Sequence, residues 1–276
     1  MFNAAKCTGA HLADQRIVVY GAGSAAVGVA DVIVKLMGLE GIPEHEARKK
    51  FFFVDTKGLV TINRGDKLQA HKIPYARGEF SEQIPNLEGV VEQIKPTALL
   101  GLAGSGKAFT EPIIRKMAQF NKQPIIFALS NPTSKSECTA KEAYEYSEGK
   151  CIFASGSPFD PVSINGKLME PGQGNNMYIF PGLGYGAFLA KSKSITETMI
   201  VAAAKKLADI TTPEDLKNGS IYPPISKIRD ISAHLAVAVM EQSYQEGLAQ
   251  LQPKPDNLLQ YVKDRMYQPT FVDLKQ

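Results

Sequence analysis

Short, nearly continuous apolar runs alternate along the chain with longer stretches in which apolar residues recur at helical spacing. The runs predict strands at Arg16–Tyr20, Phe51–Asp55, Thr97–Leu102, Pro124–Leu129 and Cys151–Ala154. All but one are apolar almost throughout, a pattern that requires both faces of a sheet to be covered. Between them the spacing predicts helices at about Ala25–Met37, Phe80–Ile94, Glu111–Phe120 and Ala140–Tyr146, the last opened by a capping box of Thr139 and Glu142. Strand and helix in turn build βαβ units, so the expected fold is α/β: a doubly wound parallel sheet of Rossmann type, followed by C-terminal helices.

After Ala154 the pattern gives way to a glycine- and proline-rich stretch, SGSPFDPVSINGKLMEPGQGNNMYIFPGLGYG. Helical signals then return. Ser194 and Glu197 read as a capping box before a helix through Asp209, and Thr212-Pro213 as an N-cap with proline at the first helical position. A long helix from about Lys227 to Glu246 places Ile228, Ile231, Leu235, Ala238 and Val239 on one face and stops at Gly247. Residues 1–250 are expected to form one domain built on this sheet, with 251–276 an extension packed on it or on a partner.

Charge narrows the choice of partners. The 31 Lys and Arg and 28 Asp and Glu are scattered, leaving a net charge of only +3 and no basic stripe for nucleic acid. No apolar run reaches the roughly 18 to 20 residues of a membrane span, and the N-terminus lacks a signal-peptide core. A soluble, intracellular, cytoplasmic protein is expected, or a mitochondrial matrix one if the source is eukaryotic. Cys7, Cys138 and Cys151 lack metal-type spacing and fit buried thiols in a reducing compartment.

The chemistry begins at RIVVYGAGSAAVGVADVIVKLM. An apolar strand runs into Gly21, Ala22, Gly23, Ser24, Ala25 and Ala26, then into a helix. In this G-x-G-x-x-A spacing the first glycine turns the chain and the second lets backbone approach a pyrophosphate, while the small last residue lets helix and strand pack closely. The phosphate would rest on free amides of the helix N-terminus. The next strand ends in Asp55, a candidate partner for the adenosine ribose, although it follows Gly21 later than the roughly 20 residues usual in such folds. Asp55 could instead cap a turn before Lys57-Gly58. An acidic residue here favours NAD, while Lys72 and Arg77 in the following loop could reach the 2′-phosphate of NADP.

A second loop, GLAGSGKAF, has the G-x-x-x-x-G-K spacing from Gly101 to Lys107, but Ala108 stands where a phosphate-binding P-loop needs Ser or Thr for magnesium. Loops at the carboxyl ends of neighbouring strands line one crevice. Gly101, Gly104 and Gly106 could therefore hold backbone close to a dinucleotide, form a plain strand-to-helix turn, or act as a P-loop. In PIIFALSNPTSKSE, Ser130 and Asn131 end a buried strand, and the Asn131 amide could contact substrate or nicotinamide or merely shape an Asx-Pro turn. Asn175 and Asn176 stand side by side between glycines and an apolar segment, so one side chain can face a ligand. His11, His45, His71 and His234 show no ligand spacing and read as solvated or capping residues, and no pair of carboxylates stands out as a metal site.

The segments GAGSAAVG, FFFVDTKGL, KPTALLGLAGSGKAF, PIIFALSNPTSKSECTAKEAY, IFASGSPFDPV, PGQGNNMYIFPG and YPPI together resemble the cofactor-binding region of malic enzymes, with malolactic enzymes as close relatives. The likeness runs through essentially the whole chain in order. It implies that the loop Gly21–Ser24 holds the pyrophosphate and Asp55 the ribose. Asn131 and Asn176 would contact malate, and Asn175 would lie beside nicotinamide and substrate. It also implies oxidation of malate to oxaloacetate by hydride transfer to the nicotinamide, followed by metal-assisted loss of carbon dioxide to give pyruvate. Malic enzymes draw their catalytic tyrosine, lysine base, carboxylate-binding arginine and magnesium or manganese ligands from a region preceding this one. The chain is accordingly expected to be a cofactor domain without catalytic residues of its own, part of a homo-oligomer (dimer or tetramer) in the complete enzyme. A malolactic outcome and a non-catalytic dinucleotide-binding module are the alternatives.

Overall fold

The computed structural model describes residues 1–217 and 219–268, so the last part of the expected extension, 269–276, lies outside the described residues. The chain divides into two compact units: residues 1–175 with 211–223, and residues 176–210 with the chain from 224 onward.

The first unit follows the predicted alternation. In chain order it contains α1 (Phe2–Cys7), β1 (Ile17–Tyr20), α2 (Ser24–Leu39), α3 (Glu44–Arg48), β2 (Phe51–Asp55), β3 (Gly58–Leu59), α4 (Leu87–Ile94), β4 (Ala98–Gly101), α5 (Glu111–Phe120), β5 (Ile125–Ala128), α6 (Ala140–Tyr146), β6 (Ile152–Ser155), β7 (Val162–Ile164), β8 (Lys167–Met169) and β9 (Gly172–Gln173). The main sheet runs β3-β2-β1-β4-β5-β6-β9. All neighbours are parallel except β3, which folds back antiparallel on the end of β2. Strand order reverses between β1 and β4, and that reversal opens a crevice beyond the carboxyl ends of these strands.

Alternation of side chains explains why both sheet faces are apolar. Val18, Phe52, Val54, Leu99, Ile126 and Phe153 point to one face and join one cluster with residues of α4, α5 and α6. The intervening Ile17, Val19, Phe51, Phe53, Leu100, Ile125 and Phe127 point the other way and are equally buried. There Tyr75 packs on Phe51 and Phe53 at centroid distances of 5.7 and 4.9 Å.

Local capping sets several boundaries. Thr139 and Glu142 form the expected reciprocal box at α6. The helix expected from Phe80 instead begins at Leu87, because Asn86 caps it by accepting the Gly89 N–H at 2.8 Å just after Ile84-Pro85. Asn165 and Gly166, both at positive φ, turn the small β7–β8 hairpin, an Asn-Gly signal the apolar pattern alone does not convey. The short helix α9 (Pro213–Lys217) returns to the first unit, and Thr212 and Asp215 cap it reciprocally.

The second unit is helical: α7 (Phe180–Leu189), α8 (Glu197–Ile210), α10 (Ile228–Gln245) and α11 (Leu258–Arg265). The cap of α8 comes from Thr196, whose Oγ1 accepts the Met199 N–H at 3.3 Å, rather than from Ser194. Gly247, at φ +67°, ends α10 where expected. Leu258 and Val262 of α11 join Leu189, Ala236 and Met240 in one cluster. Helices α7 and α10 meet through glycine: a β-carbon at Gly186 of α7 would lie 2.5 Å from the Ala236 carbonyl oxygen of α10, and one at Gly182 would lie 2.6 Å from Leu235 Cβ. Among the described residues no helix is long and apolar enough to cross a membrane.

This packing separates two glycines of the same helix. Gly186→Ala must push α7 off α10 and should cost about 1–3 kcal/mol. Gly184→Ala meets open space and should be neutral or stabilising by up to about 1 kcal/mol through helix propensity. Urea unfolding of both variants checks the contrast.

Candidate functional site

The first glycine loop lies at the strand-order reversal. Gly21 has φ +111°, and its N–H donates to the Val54 carbonyl at 2.8 Å. A β-carbon on Gly21 would sit 2.7 Å from the Leu102 carbonyl carbon and 2.8 Å from the Ala103 nitrogen, so only glycine lets this turn lie against the loop that follows β4. Gly23 is the N-cap of α2, with extended backbone and open space where a β-carbon would project. Gly23, Ser24 and Ala25 are exposed, no side chain caps the helix, and its first turn carries no acid. The first amides of a 16-residue helix therefore face an open cradle, the arrangement that favours an anion. Ala22 and Ala26 are buried, and Ala26 allows close packing of helix on strand. His71 places Nε2 3.1 Å from the Ala22 carbonyl oxygen, so it braces the loop rather than standing in solvent.

One strand away, the Asp55 carboxylate is fully engaged. Arg64 donates Nη1 and Nη2 to its two oxygens at 2.8 Å each, Lys72 Nζ donates at 2.9 Å and the Lys57 amide at 2.9 Å. The last bond is the turn cap that the sequence also allowed. Arg64 extends to Asp66 at 2.6 Å, and Lys57 Nζ meets Asp66 at 2.9 Å. The Arg64 side chain is only 4% exposed and that of Asp55 12%. Burial alone would push the Asp55 pKa up, but the hydrogen bonds from Arg64, Lys72 and the Lys57 amide hold it well below the usual carboxylate range. Arg77, the other cation expected to approach, turns away: it lies 4.3 Å over the Phe52 ring, donates to the Lys49 carbonyl at 2.7 Å and pairs with Glu79. A hollow of about 600 Å³ lined by His45, Arg48, Lys49, Tyr75, Arg77 and Glu79 lies there, before the start of β2 and away from the crevice.

The second glycine loop leaves β4 at Gly101 and reaches α5 only at Glu111. Its Lys107, at φ +61°, does not open a helix, so this is no phosphate-wrapping P-loop. The loop is laced instead to the one after β5. Gly104 N–H donates to Ser130 Oγ at 2.9 Å and Lys107 N–H to the Ser136 carbonyl at 3.0 Å, while Gly106 passes close to the Ser134 carbonyl. Asn131 is exposed beside it. Its Oδ1 accepts from Ser157 Oγ at 2.8 Å, which leaves the amide hydrogens as its main offer to a ligand. Gly156 makes room for that side chain: a β-carbon there would lie 2.7 Å from Asn131 Nδ2. Asn175 follows the edge strand β9, where its N–H donates to the Gln173 carbonyl at 3.2 Å.

The fold thus gathers Gly21, Ala22, Gly23, Ser24, Ala25, Asp55, Gly104, Asn131 and Asn175 at the carboxyl ends of parallel strands of one unit. Asn176 begins the other unit, in a short turn Asn176–Tyr178. Sequence reasoning missed Arg64, His71, Ser157 and the buried Glu137. Arg64 had a faint signal, a cation in the turn-forming NRGD that follows an acidic strand end. Among the described residues no three His, Cys, Asp or Glu side chains come together as a metal site.

Comparison with known proteins agrees with this geometry. The family described as "Malic enzyme, NAD binding domain" matches residues 1–244. An NADP-dependent malic enzyme of Dictyostelium discoideum is 49% identical over 269 residues, covering 98% of this chain and 49% of that protein. Those of Vitis vinifera and Homo sapiens are 47% and 45% identical, covering 98% and 93% of this chain and 45% and 44% of their own lengths. The chain therefore spans about half the length of the curated relatives it matches. Among solved structures, Entamoeba histolytica malic enzyme superposes with TM-score 0.73 at 24% identity, covering 95% of this chain and 49% of its own. A sheet that reverses at a glycine loop, and a family match over most of its length, place this chain in the family of malic enzyme NAD-binding domains.

Proposed function

We propose that this chain is the dinucleotide-binding part of an enzyme that oxidatively decarboxylates malate to pyruvate and carbon dioxide, with NADP as its preferred cofactor. The observation that carries the reading is the open helix N-terminus at Gly23–Ala25 with Arg64, Asp55 and Lys72 converging one strand away. The amides from Ala22 to Ala25 would take the pyrophosphate. Asp55 alone favours an unphosphorylated ribose, but the two cations seated on it supply donors for a 2′-phosphate, and the relatives named above are NADP-dependent malic enzymes.

A bound nicotinamide dinucleotide would supply the carbon that accepts hydride. The chain's own contribution is placement: Gly104 and Asn131 border the nicotinamide end, and the Asn131 amide, held by Ser157, donates to the carboxylate or hydroxyl of the substrate. Asn175 stands at the end of the next strand but one, and Asn176 keeps only the substrate role that the family resemblance implies. The magnesium or manganese ion of the complete enzyme finds no ligand set among the described residues, so no step here is assigned to it. The names of the relatives support pyruvate rather than the lactate of a malolactic enzyme as product.

Fluorescence titration with NADPH and NADH tests the adenosine subsite. Arg64→Ala or Lys72→Ala should weaken NADPH binding about tenfold or more, the loss of one charged hydrogen bond, while changing NADH much less. Asp55→Ala should weaken NADH, and unchanged affinity for both cofactors in all three variants would remove these residues from the site. NADPH at about 100 times its dissociation constant should stabilise the protein by roughly 2.7 kcal/mol, read as a rise in melting temperature. The purified 276-residue chain should nevertheless form no NADPH from malate and NADP⁺. Turnover at the pace of an ordinary dehydrogenase would show that the acid and base of the reaction reside here after all.

A further inference from the structure

Glu137 is completely buried, yet among the described residues no Lys, Arg or His pairs with it. Hydrogen-bond donors take the place of a cation. Ser130 Oγ donates to Oε1 in a short bond, the Ser130 amide donates to Oε2 at 3.3 Å, and the Ala103 amide also faces the carboxylate. Burial pushes the Glu137 pKa up and these bonds pull against it. The site is built around the group: a β-carbon on Gly101 would lie 2.3 Å from Glu137 Cδ, so the last residue of β4 must be glycine for the carboxylate to fit.

The bonds spread outward to both loops. Ser130 Oγ, which donates to Glu137, accepts the Gly104 N–H, and the Glu137 carbonyl accepts the Phe109 N–H at 2.9 Å. Ala103, whose amide faces the carboxylate, belongs to the backbone against which Gly21 rests. Ser130 precedes Asn131. One carboxylate therefore sets the second glycine loop, the wall of the first and the root of the Asn131 side chain.

We propose that Glu137 is a positioning residue for the nicotinamide half of the dinucleotide, an inference that rests on the dinucleotide reading above. The direction follows from topology. Arg64, Asp55 and Lys72 lie at the end of β2, on one side of β1, whereas the loops that Glu137 fixes follow β4 and β5, on the other. A dinucleotide stretched over the reversal with its adenosine at β2 has its other half over β4 and β5. An ordinary folding staple would affect both halves alike, and this difference makes the assignment testable.

The test titrates the full chain with two probes, NADPH and adenosine 2′,5′-bisphosphate, the second carrying only the adenosine half. Glu137→Gln turns an amide donor towards groups that themselves donate. It should weaken NADPH about tenfold or more and reduce the fluorescence gain of its bound nicotinamide, while the bisphosphate stays within about twofold. Glu137→Asp, which keeps the carboxyl group, should recover part of the loss. Ser130→Ala, which keeps Glu137 but cuts its link to Gly104, should reproduce the split and decides the matter if neither Glu137 variant folds. Equal weakening of both probes, or no change in a folded variant, overturns the assignment. Wild-type chain that binds neither probe overturns the dinucleotide reading itself.

Discussion

The carboxyl edge of the sheet is held together by main chain approaching other groups more closely than a β-carbon permits. Gly21 lies on Leu102 and Ala103, Gly101 on Glu137, Gly106 on the Ser134 carbonyl and Gly156 on the Leu129 carbonyl and Asn131. Each contact joins the end of one strand, or the loop that follows it, to the loop of another. Together they turn separate loops into a continuous floor whose polar groups are amides and carbonyls. Such a floor can come within hydrogen-bonding distance of a flat, charged ligand where side chains would hold it off. The glycines of this edge are thus a packing requirement first, and the opportunity for binding follows from it.

Two carboxylates beside this floor illustrate opposite solutions to burial. Asp55 is surrounded by cations, and its charge is neutralised in place. Glu137 has none and relies on amide and hydroxyl donors. The first arrangement offers exchangeable partners, since the Arg64 and Lys72 groups that hold Asp55 can equally hold an incoming anion. The second offers nothing to a ligand directly. Its donors are the hydroxyl of Ser130 and neighbouring main-chain amides, which suits a group that keeps other groups in place.

How much of this was readable from sequence depended on whether the determining interaction was local. The strands were visible because a parallel sheet covered on both faces demands unbroken apolar runs; α5 was legible to the residue from its apolar spacing and α6 from its spacing and capping box. The first glycine loop and Asp55 were legible for the same reason, as turn chemistry tied to a strand end. Helix α7 was not, because FPGLGYGAFL is apolar on every side and shows no period; only the four-residue spacing of Gly182 and Gly186 hinted at a helix pressed against another. Arg64 and Glu137 depend on how a chain folds back through turns. No periodicity records that, and of the two cations that looked suitable Lys72 reaches Asp55 while Arg77 is drawn instead to the face of Phe52 and the carbonyl of Lys49.

The cluster at the end of β2 contains three cations, Lys57, Arg64 and Lys72, and two carboxylates, Asp55 and Asp66. It therefore carries one surplus positive charge before any ligand arrives. Coulomb attraction at an open cleft fades over about 8 Å at physiological salt and reaches further in dilute buffer. An anion drawn to such a cluster would feel that attraction most at low ionic strength, and one carrying an extra phosphate would lose more of it as salt is added.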